Sequence, residues 1–541
     1  MFIVNGVSGA LLHCINFRVA TDPACGSGNF LTETYISLRR LENDILRSFS
    51  SQISMADFEN PIKVSISQFY GIEINDFAVT VAKTALWIAE SQMMKETEDI
   101  LHMQLDFLPL KSYANITEGN ALQIDWETVV PKHKLNYIMG NPPFIGSNNQ
   151  SDKQRKDMLL ILDKMNKTVD YVAGWYFKAA EYIQKTNIHV AFVSTNSITQ
   201  GEQVEGIWKP LYNKFGIHID FAYRTFQWDS EANMKAHVYC VIVGFSITPS
   251  KNKKLLFKSG SVELVDNINA YLIDAPDIFV ERRKHPLCDI PEIRKGNQPT
   301  DGGYLIIDEN EIDEFLKKEP KASTYIKKLV GSKEYINRKP RYCLWLVNIS
   351  PSELRKMPLV MERVNNVREI RLKSPDARTR RLADTPTVFR ETNNPQSFII
   401  VPSVSSENRR YIPMGFMDGD TIPTNLVLII PDASLYHFGV LTSNVHMAWM
   451  RVVCGRLGMS YRYSKDIVYN NFPWCTPTDA QKAKIEQTAQ AILDARALYP
   501  DCSLADLYDE TTMPPELRKA HQANDKAYAG LWLYKGYRGF Y

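Results

Sequence analysis

The apolar run from Leu135 to Gly140 ends on Asn141, Pro142, Pro143 and Phe144. Two consecutive prolines fix two φ angles and remove two backbone N–H donors. A β-ladder cannot continue through them, so a buried strand stops here in a rigid, extended turn. The turn leaves a side-chain amide and an aromatic ring at the end of that strand.

Other strand ends carry residues of the same kind. A short extended piece leads into Asp22, Pro23, Ala24 and Cys25, then through Gly26-Ser27-Gly28 into a helix. That helix places Leu31, Tyr35, Leu38, Leu41 and Leu46 at near-helical spacing. A glycine turn between strand and helix lets a ligand approach the backbone near the positive end of the helix. By itself a G-x-G is also an ordinary structural turn. A second apolar strand ends on Glu73 and enters a helix with Ala78, Val81, Ala82, Ala85 and Leu86. An acidic residue there in a doubly wound sheet is placed to accept hydrogen bonds from ribose hydroxyls; the bland alternative is a solvated carboxylate. A third strand ends at Asn120 and Ala121 and the fourth at Asn141, with further strands expected at 189–195 and 237–245 around a helix at 170–184. The alternation predicts an α/β sheet with a ligand along its carboxyl edge.

At 541 residues the chain exceeds one ordinary core, so two or three domains are expected. Lys+Arg number 63 against 61 Asp+Glu, which excludes a generally polycationic protein and confines any nucleic-acid footprint to a local patch. Cysteines stand at 14, 25, 240, 288, 343, 454, 475 and 502, without a C-x-x-C pair or a His/Cys cluster of metal-ligand spacing. No metal site is expected, and scattered free thiols imply a reducing compartment. The first 17 residues lack the basic start and cleavage site of a signal peptide. No run reaches the roughly 18 apolar residues that a membrane span requires. A cytoplasmic protein with no membrane partner is the expectation.

The stretch from Asp22 to Phe30 resembles the cofactor motif of S-adenosylmethionine-dependent DNA methyltransferases. Asn141-Pro142-Pro143-Phe144 resembles the catalytic motif of those acting on exocyclic amines, the phenylalanine favouring adenine N6 over cytosine N4. The resemblance implies a class I, Rossmann-like methyltransferase domain with S-adenosylmethionine as cofactor. Asp22 would bind the methionine amino group, followed by Pro23 and Ala24 of the same motif. The backbone from Cys25 through Gly26 to Gly28 would wrap the cofactor. Glu73 would hold the ribose, and Asn120 and Ala121 would contact the cofactor's adenine.

The same resemblance explains the double proline. An adenine amine is a poor nucleophile because its lone pair is delocalised into the ring. The Asn141 side-chain oxygen and the Pro142 carbonyl can accept its two hydrogens and hold the nitrogen toward sp³ geometry. Pro142 and Pro143 make those acceptors rigid, which preorganises the site. Phe144 offers a stacking face for a base extracted from the duplex. Phe226 and Trp228 lie in a region that helps frame the flipped base in related enzymes; aromatics beside a strand are as readily core.

From about residue 250 the pattern changes to shorter strands, Pro-rich turns and clustered arginines. Arg363, Arg368, Arg371, Lys373, Arg378, Arg380, Arg381 and Arg390 are opposed only by Glu362, Glu369, Asp376 and Asp384. A charge run is usually a solvated face, but in a nearly neutral protein it is a candidate phosphate-binding stripe. Segments 401–416 and 452–474 set Arg409, Arg410, Arg456 and Arg462 among Ser, Asn and Tyr, residues able to bond base edges and phosphates. Together with 338–348 and 444–457 they resemble the target-recognition region of the MmeI-like family of fused restriction–modification enzymes. Residues 504–530 resemble that family's helical tail. The expected organisation is a methyltransferase domain over 1–250, a mixed α+β target-recognition domain over 251–475 and a helical region over 476–541.

Family members begin with a PD-(D/E)xK nuclease, a helical connector and a further cofactor motif. None of these stands ahead of Asp22 here, so the expectation is a chain lacking the nuclease, with a separate chain as one source of the missing parts. Glu319-Pro320-Lys321 spells E-x-K, but it follows a charged stretch that reads as a solvated helix. The leading function is sequence-specific adenine-N6 methylation of duplex DNA. The alternative is a DNA-binding remnant or subunit of a modification system without independent turnover. A glutamine methyltransferase acting on protein is a third reading, disfavoured by the arginine-rich second half.

Overall fold

The structure is a computed structural model that describes residues 18–49, 62–102, 104, 115–162, 169–228, 238–249 and 252–534. It comprises two compact units, Met1–Phe279 and Val280–Tyr541.

The first unit is built on β1 (Ala20–Asp22), β2 (Phe69–Glu73), β3 (Asn115–Glu118), β4 (Tyr137–Gly140), β5 (His189–Thr195), β6 (His218–Trp228), β7 (Val238–Ser246), β8 (Lys254–Lys258) and β9 (Ser261–Val265). They form one sheet in the order β3-β2-β1-β4-β5-β7-β6-β8-β9. Strands β1 to β5 are parallel, and β7 is antiparallel to both β5 and β6. The carboxyl ends of β1 to β6 therefore share one edge. The chain winds outward from β1 in one direction and from β4 in the other, so the crevice for a ligand opens beyond these two strands. The extended piece expected to lead into Asp22 is described from residue 18 on; residues 15–17 lie outside the described residues.

Two helices, α1 (Asn29–Phe49) and α2 (Asp76–Leu101), bury Leu31, Tyr35, Ala82 and Leu86 against Ile66 and Phe69. Leu31, Tyr35 and Leu46 are buried as their spacing predicts, whereas Leu41 is 43% exposed. Ten residues at 100° each turn Leu41 about 80° off the stripe that begins at Leu31. Inside the unit, Arg39 and Glu42 form a buried ion pair. Arg39 also donates to Thr97 Oγ1 on α2 at 2.6 Å, and Glu42 accepts the Lys63 N–H at 2.6 Å. The pair thus ties both helices to the segment that leads into β2.

The second unit contains a four-stranded sheet ordered Arg294–Lys295, Val427–Pro431, Ser397–Pro402, Gly415–Asp418. A second sheet is ordered Ile306–Ile307, Arg341–Leu344, Ile326–Val330, Thr421–Pro423. A small third sheet orders Val404–Ser405, Ser460–Arg462 and Gly455–Leu457. The helices Asp479–Ala497 and Pro515–Tyr534 follow, burying Ile485, Tyr528 and Leu531 with Tyr436 and Val440. This is a mixed α+β unit ending in helices. Among the described residues no helix is long and apolar enough to cross a membrane. No group of three His, Cys, Asp or Glu among them could hold a metal ion. Cys25, Cys240, Cys288, Cys343, Cys454 and Cys502 are free thiols, and Cys14 lies outside the described residues.

Candidate active site and recognition residues

Asp22 closes β1 and is 1% exposed. Its Oδ1 accepts the Ala24 N–H at 2.9 Å. Burial pushes its pKa up to about 7, opposed by that hydrogen bond and reinforced by the nearby Glu73 charge. A Cβ on Gly140 would stand 2.3 Å from the same Oδ1, so the last residue of β4 must be glycine for Asp22 to fit. The requirement links the two motifs: the carboxylate of the first sits against the strand end that presents the second.

Glu73 closes β2, and its carboxylate accepts N–H groups from Gly26 and Asn75, both at 2.9 Å. It thereby fixes the glycine turn between β1 and α1. Gly26 and Gly28 both have positive φ, +53° and +83°. A Cβ on Gly28 would lie 3.0 Å from Ala82 Cβ, so glycine lets the turn lie directly on α2. Cys25 is buried, and its N–H donates to the Ile72 carbonyl at 3.1 Å.

Beyond β3, Asn120 accepts the Leu122 N–H at 3.0 Å and donates to Asp157 Oδ2 at 3.0 Å. The Ala121 carbonyl accepts the Trp126 indole N–H at 2.9 Å. A pocket of about 440 Å³ opens along this edge, with Pro23, Ala24, Glu73, Asn120, Ala121, Asn141 and Pro143 among its lining. Seven residues singled out in the sequence thus share one pocket. Asp22, Cys25, Gly26, Gly28, Pro142 and Phe144 do not line it and stand behind or beside it.

Asn141 follows β4 directly. Its Oδ1 is buried and has no hydrogen-bond partner among the described residues. Buried acceptors without a donor are rare in native proteins because the lost hydration is not replaced. Pro142 is buried, Pro143 exposed and Phe144 half-buried. Phe226 and Trp228 end β6 on the same sheet edge, Trp228 at 40% exposure, with ring centroids 6.2 Å apart.

Sequence reasoning gave no functional role to the helix α3 (Asp152–Ile161) or to α4 (Ala173–Tyr182), which falls within the helix expected at 170–184. Buried Asp157 on α3 accepts from Asn120, from Gln123 at 2.7 Å and from the Tyr171 hydroxyl at 2.9 Å. The Trp175 indole on α4 donates to the Pro23 carbonyl at 3.0 Å. All three residues line the pocket, as does Ile74. Ile74 is 59% exposed, an apolar side chain left open at the pocket wall.

In the second unit the arginines divide. Arg371, expected in the phosphate stripe, is fully buried. Its guanidinium donates to five carbonyls, those of Thr300, Leu382, Thr385, Pro299 and Val388, at 2.8 to 3.0 Å. No donor is left for a phosphate, and Arg371 is a structural strut. Arg363 is half-buried, and among the described residues only its Nη1 is engaged in hydrogen bonds, donating to the Tyr304 and Ile306 carbonyls at 3.0 and 3.1 Å. Arg378 and Arg380 are exposed, although Arg380 also donates to Ser374 and Pro375 carbonyls. Arg462 is exposed on the small third sheet, and Arg456 lies beside it with its guanidinium 4.5 Å from the Tyr461 ring. Arg410 is exposed, whereas Arg409 is half-buried and its Nε has no partner among the described residues. Glu319 is buried, not solvated, and its Oε2 accepts the Leu359 N–H at 2.9 Å, capping the helix Pro358–Leu372. That use accounts for the carboxylate of the E-x-K.

The sheet order, the reversed β7 and the pocket over β1 and β4 define a class I methyltransferase fold, here followed by a separate α+β unit. Family models described as the MmeI DNA-methyltransferase domain, target recognition domain and C-terminal domain match residues 10–258, 274–476 and 477–539. The solved Type IIL restriction-modification enzyme MmeI in complex with DNA aligns with a TM-score of 0.92 at 43% identity, covering 99% of this chain and 72% of that one. The chain belongs to the MmeI family. DNA methyltransferase A of Bacillus subtilis strain 168 is 44% identical over 510 residues, 93% of this chain. The chain spans 58% of the length of that relative.

Proposed function

We propose that this chain transfers a methyl group from S-adenosylmethionine to adenine N6 at a specific sequence in duplex DNA, as part of a restriction–modification type system. The observation that carries the proposal is the buried, unpartnered Asn141 oxygen at a pocket shared with Glu73 and Asn120. An acceptor left open at a strand end is what an exocyclic amine requires. The relatives named DNA methyltransferase A and MmeI in complex with DNA support the same reading.

The residues fit the cofactor. Asp22 supplies a buried carboxylate for an ammonium group, Gly28 a turn without a Cβ, and Glu73 a carboxylate on the pocket wall for hydroxyls. When bound, S-adenosylmethionine supplies an electrophilic methyl group on sulfur. Asn141 and Pro142 accept the two hydrogens of the target amine and orient its lone pair, with no reorganisation needed at the moment of transfer. Phe144, Phe226 and Trp228 offer faces for the extracted base. Asp157 holds Asn120 in place from behind.

In the second unit the exposed Arg378, Arg380, Arg410 and Arg462, with Arg456, are assigned to duplex DNA. Those on the small sheet would read base edges, and those at 378–380 would meet phosphates. We assign 1–250 to catalysis, 251–475 to target recognition and 476–541 to the helical region. Free thiols at Cys25, Cys240, Cys343 and Cys454 support a reducing, cytoplasmic setting. Sequencing that detects modified bases, applied to DNA from cells expressing the chain or its Asn141→Ala variant, tests the proposal. N6-methyladenine at one sequence in the first and its absence in the second is the expected result. Unmodified DNA in both would refute it.

A further inference from the structure

Asn196 opens the short turn Asn196–Thr199 beyond β5. Strand β5 is the neighbour of β4, with Gly140 opposite Phe192, so this turn stands at the same edge, one strand over from Asn141. It is stitched to the loop that follows Phe144. Ser197 Oγ donates to Asp170 Oδ2 at 2.6 Å, and Asp170 Oδ1 accepts the Ser147 N–H at 3.0 Å. The Tyr171 N–H donates to the Ile145 carbonyl at 2.9 Å, bracketing the same loop. Asp170, 9% exposed, is the carboxylate that spans the two segments.

Asn196 itself is 8% exposed, and its Nδ2 has no hydrogen-bond partner among the described residues. A buried amide donor without an acceptor is as unusual as the open acceptor of Asn141. Two adjacent strand ends therefore carry complementary vacancies, an acceptor on β4 and a donor on β5.

We propose that Asn196 reads the target base, its Nδ2 donating to the ring nitrogen beside the exocyclic amine while Asn141 accepts from that amine. The inference rests on the assignment of Asn141 made above. Adenine offers a ring acceptor on either side of its amine, N1 and N7, and so satisfies both groups at once. Guanine and thymine present a carbonyl oxygen where Asn141 needs a donor. Asn196 thus fixes the ring in its plane; cytosine, with N3 beside its own amine, satisfies both groups as well, so the pair selects against guanine and thymine only.

The test uses the purified full chain and duplexes carrying its mapped recognition sequence, with adenine, 7-deazaadenine or 1-deazaadenine at the target position. Single-turnover methylation rates are measured for each. The wild type should lose about ten- to a hundredfold on one analogue, the one missing the nitrogen that Asn196 contacts. Asn196→Ala should lose a similar factor on adenine and no longer distinguish that analogue. Asn196→Asp, which keeps the volume but removes the donor, should behave the same way. Equal wild-type rates on adenine and both analogues overturn the inference without recourse to any variant. So does a folded Asn196→Ala chain that discriminates as the wild type does. A wild type that leaves adenine itself unmethylated overturns the assignment of Asn141, and this inference with it.

Discussion

The Asn141 side-chain oxygen in the first unit and the Arg371 guanidinium in the second are both buried polar groups, and their surroundings differ. The Asn141 oxygen has no partner among the described residues, whereas the Arg371 guanidinium has five carbonyl acceptors. A saturated buried group holds the fold together; an unsaturated one keeps a vacancy that a ligand can fill. The contrast separates structure from function where residue type alone does not, because arginine suggests phosphate and asparagine suggests little.

The contrast can be broken most severely at Arg371. Arg371→Ala leaves five carbonyls without their donor and should destabilise the second unit by about 4 kcal/mol, read as an early unfolding transition in denaturant. An unchanged midpoint would return Arg371 to the phosphate stripe. Asn141→Ala should do the opposite, leaving stability intact while lowering the methylation rate about a hundredfold, on the order of 3 kcal/mol. A large stability loss with normal turnover would make Asn141 a structural residue instead.

Why was the place of Asn141 at the sheet edge legible in the sequence and the burial of Arg371 not? The groups at the sheet edge lie in short contiguous stretches, Asp22–Gly28 and Asn141–Phe144, where proline and glycine constrain the backbone and local order dictates local geometry. Leu41 misled only because near-helical spacing drifts off the stripe over ten residues. Arg371 depends on carbonyls from segments at 299–300 and 382–388, brought together only by tertiary packing. Asp157, Tyr171 and Trp175 were missed for the same reason, since each reaches the pocket through a partner remote in sequence. Glu319 belongs with them, its carboxylate buried by a helix that starts 39 residues later.

Smaller effects sharpen the comparison within the first unit. Glu73→Ala removes the acceptor of the Gly26 N–H as well as the proposed ribose contact. Calorimetry should show cofactor affinity reduced about tenfold, with DNA affinity unaltered. Unchanged cofactor affinity would make Glu73 a turn-fixing residue alone. Asp22 gives a pH dependence of defined sign. Its carboxyl titrates at about 7 in the cofactor-free protein against 3.8 ordinarily, so the unliganded fold loses stability as pH rises through that window. An ammonium ligand needs the ionised form. Affinity for S-adenosylmethionine should fall about tenfold for each pH unit below 7 and level off above it. Asp22→Asn should bind weakly with a flat profile; a flat profile in the wild type would mean that Asp22 does not meet the ammonium. Least of all, Arg378→Ala should weaken DNA binding at every sequence and reduce the salt slope by about 1. Arg462→Gln should instead change which site is chosen. A swap of these two phenotypes would reverse the assignment of the two segments.

The central claim is that the open Asn141 acceptor serves an adenine amine. The most direct measurement incubates purified chain with duplex DNA and S-adenosylmethionine deuterated in its methyl group, then identifies the labelled nucleoside by mass spectrometry. Deuterated N6-methyldeoxyadenosine, lost in Asn141→Ala, is the predicted result. Label on cytosine, on protein, or on no product at all would contradict it.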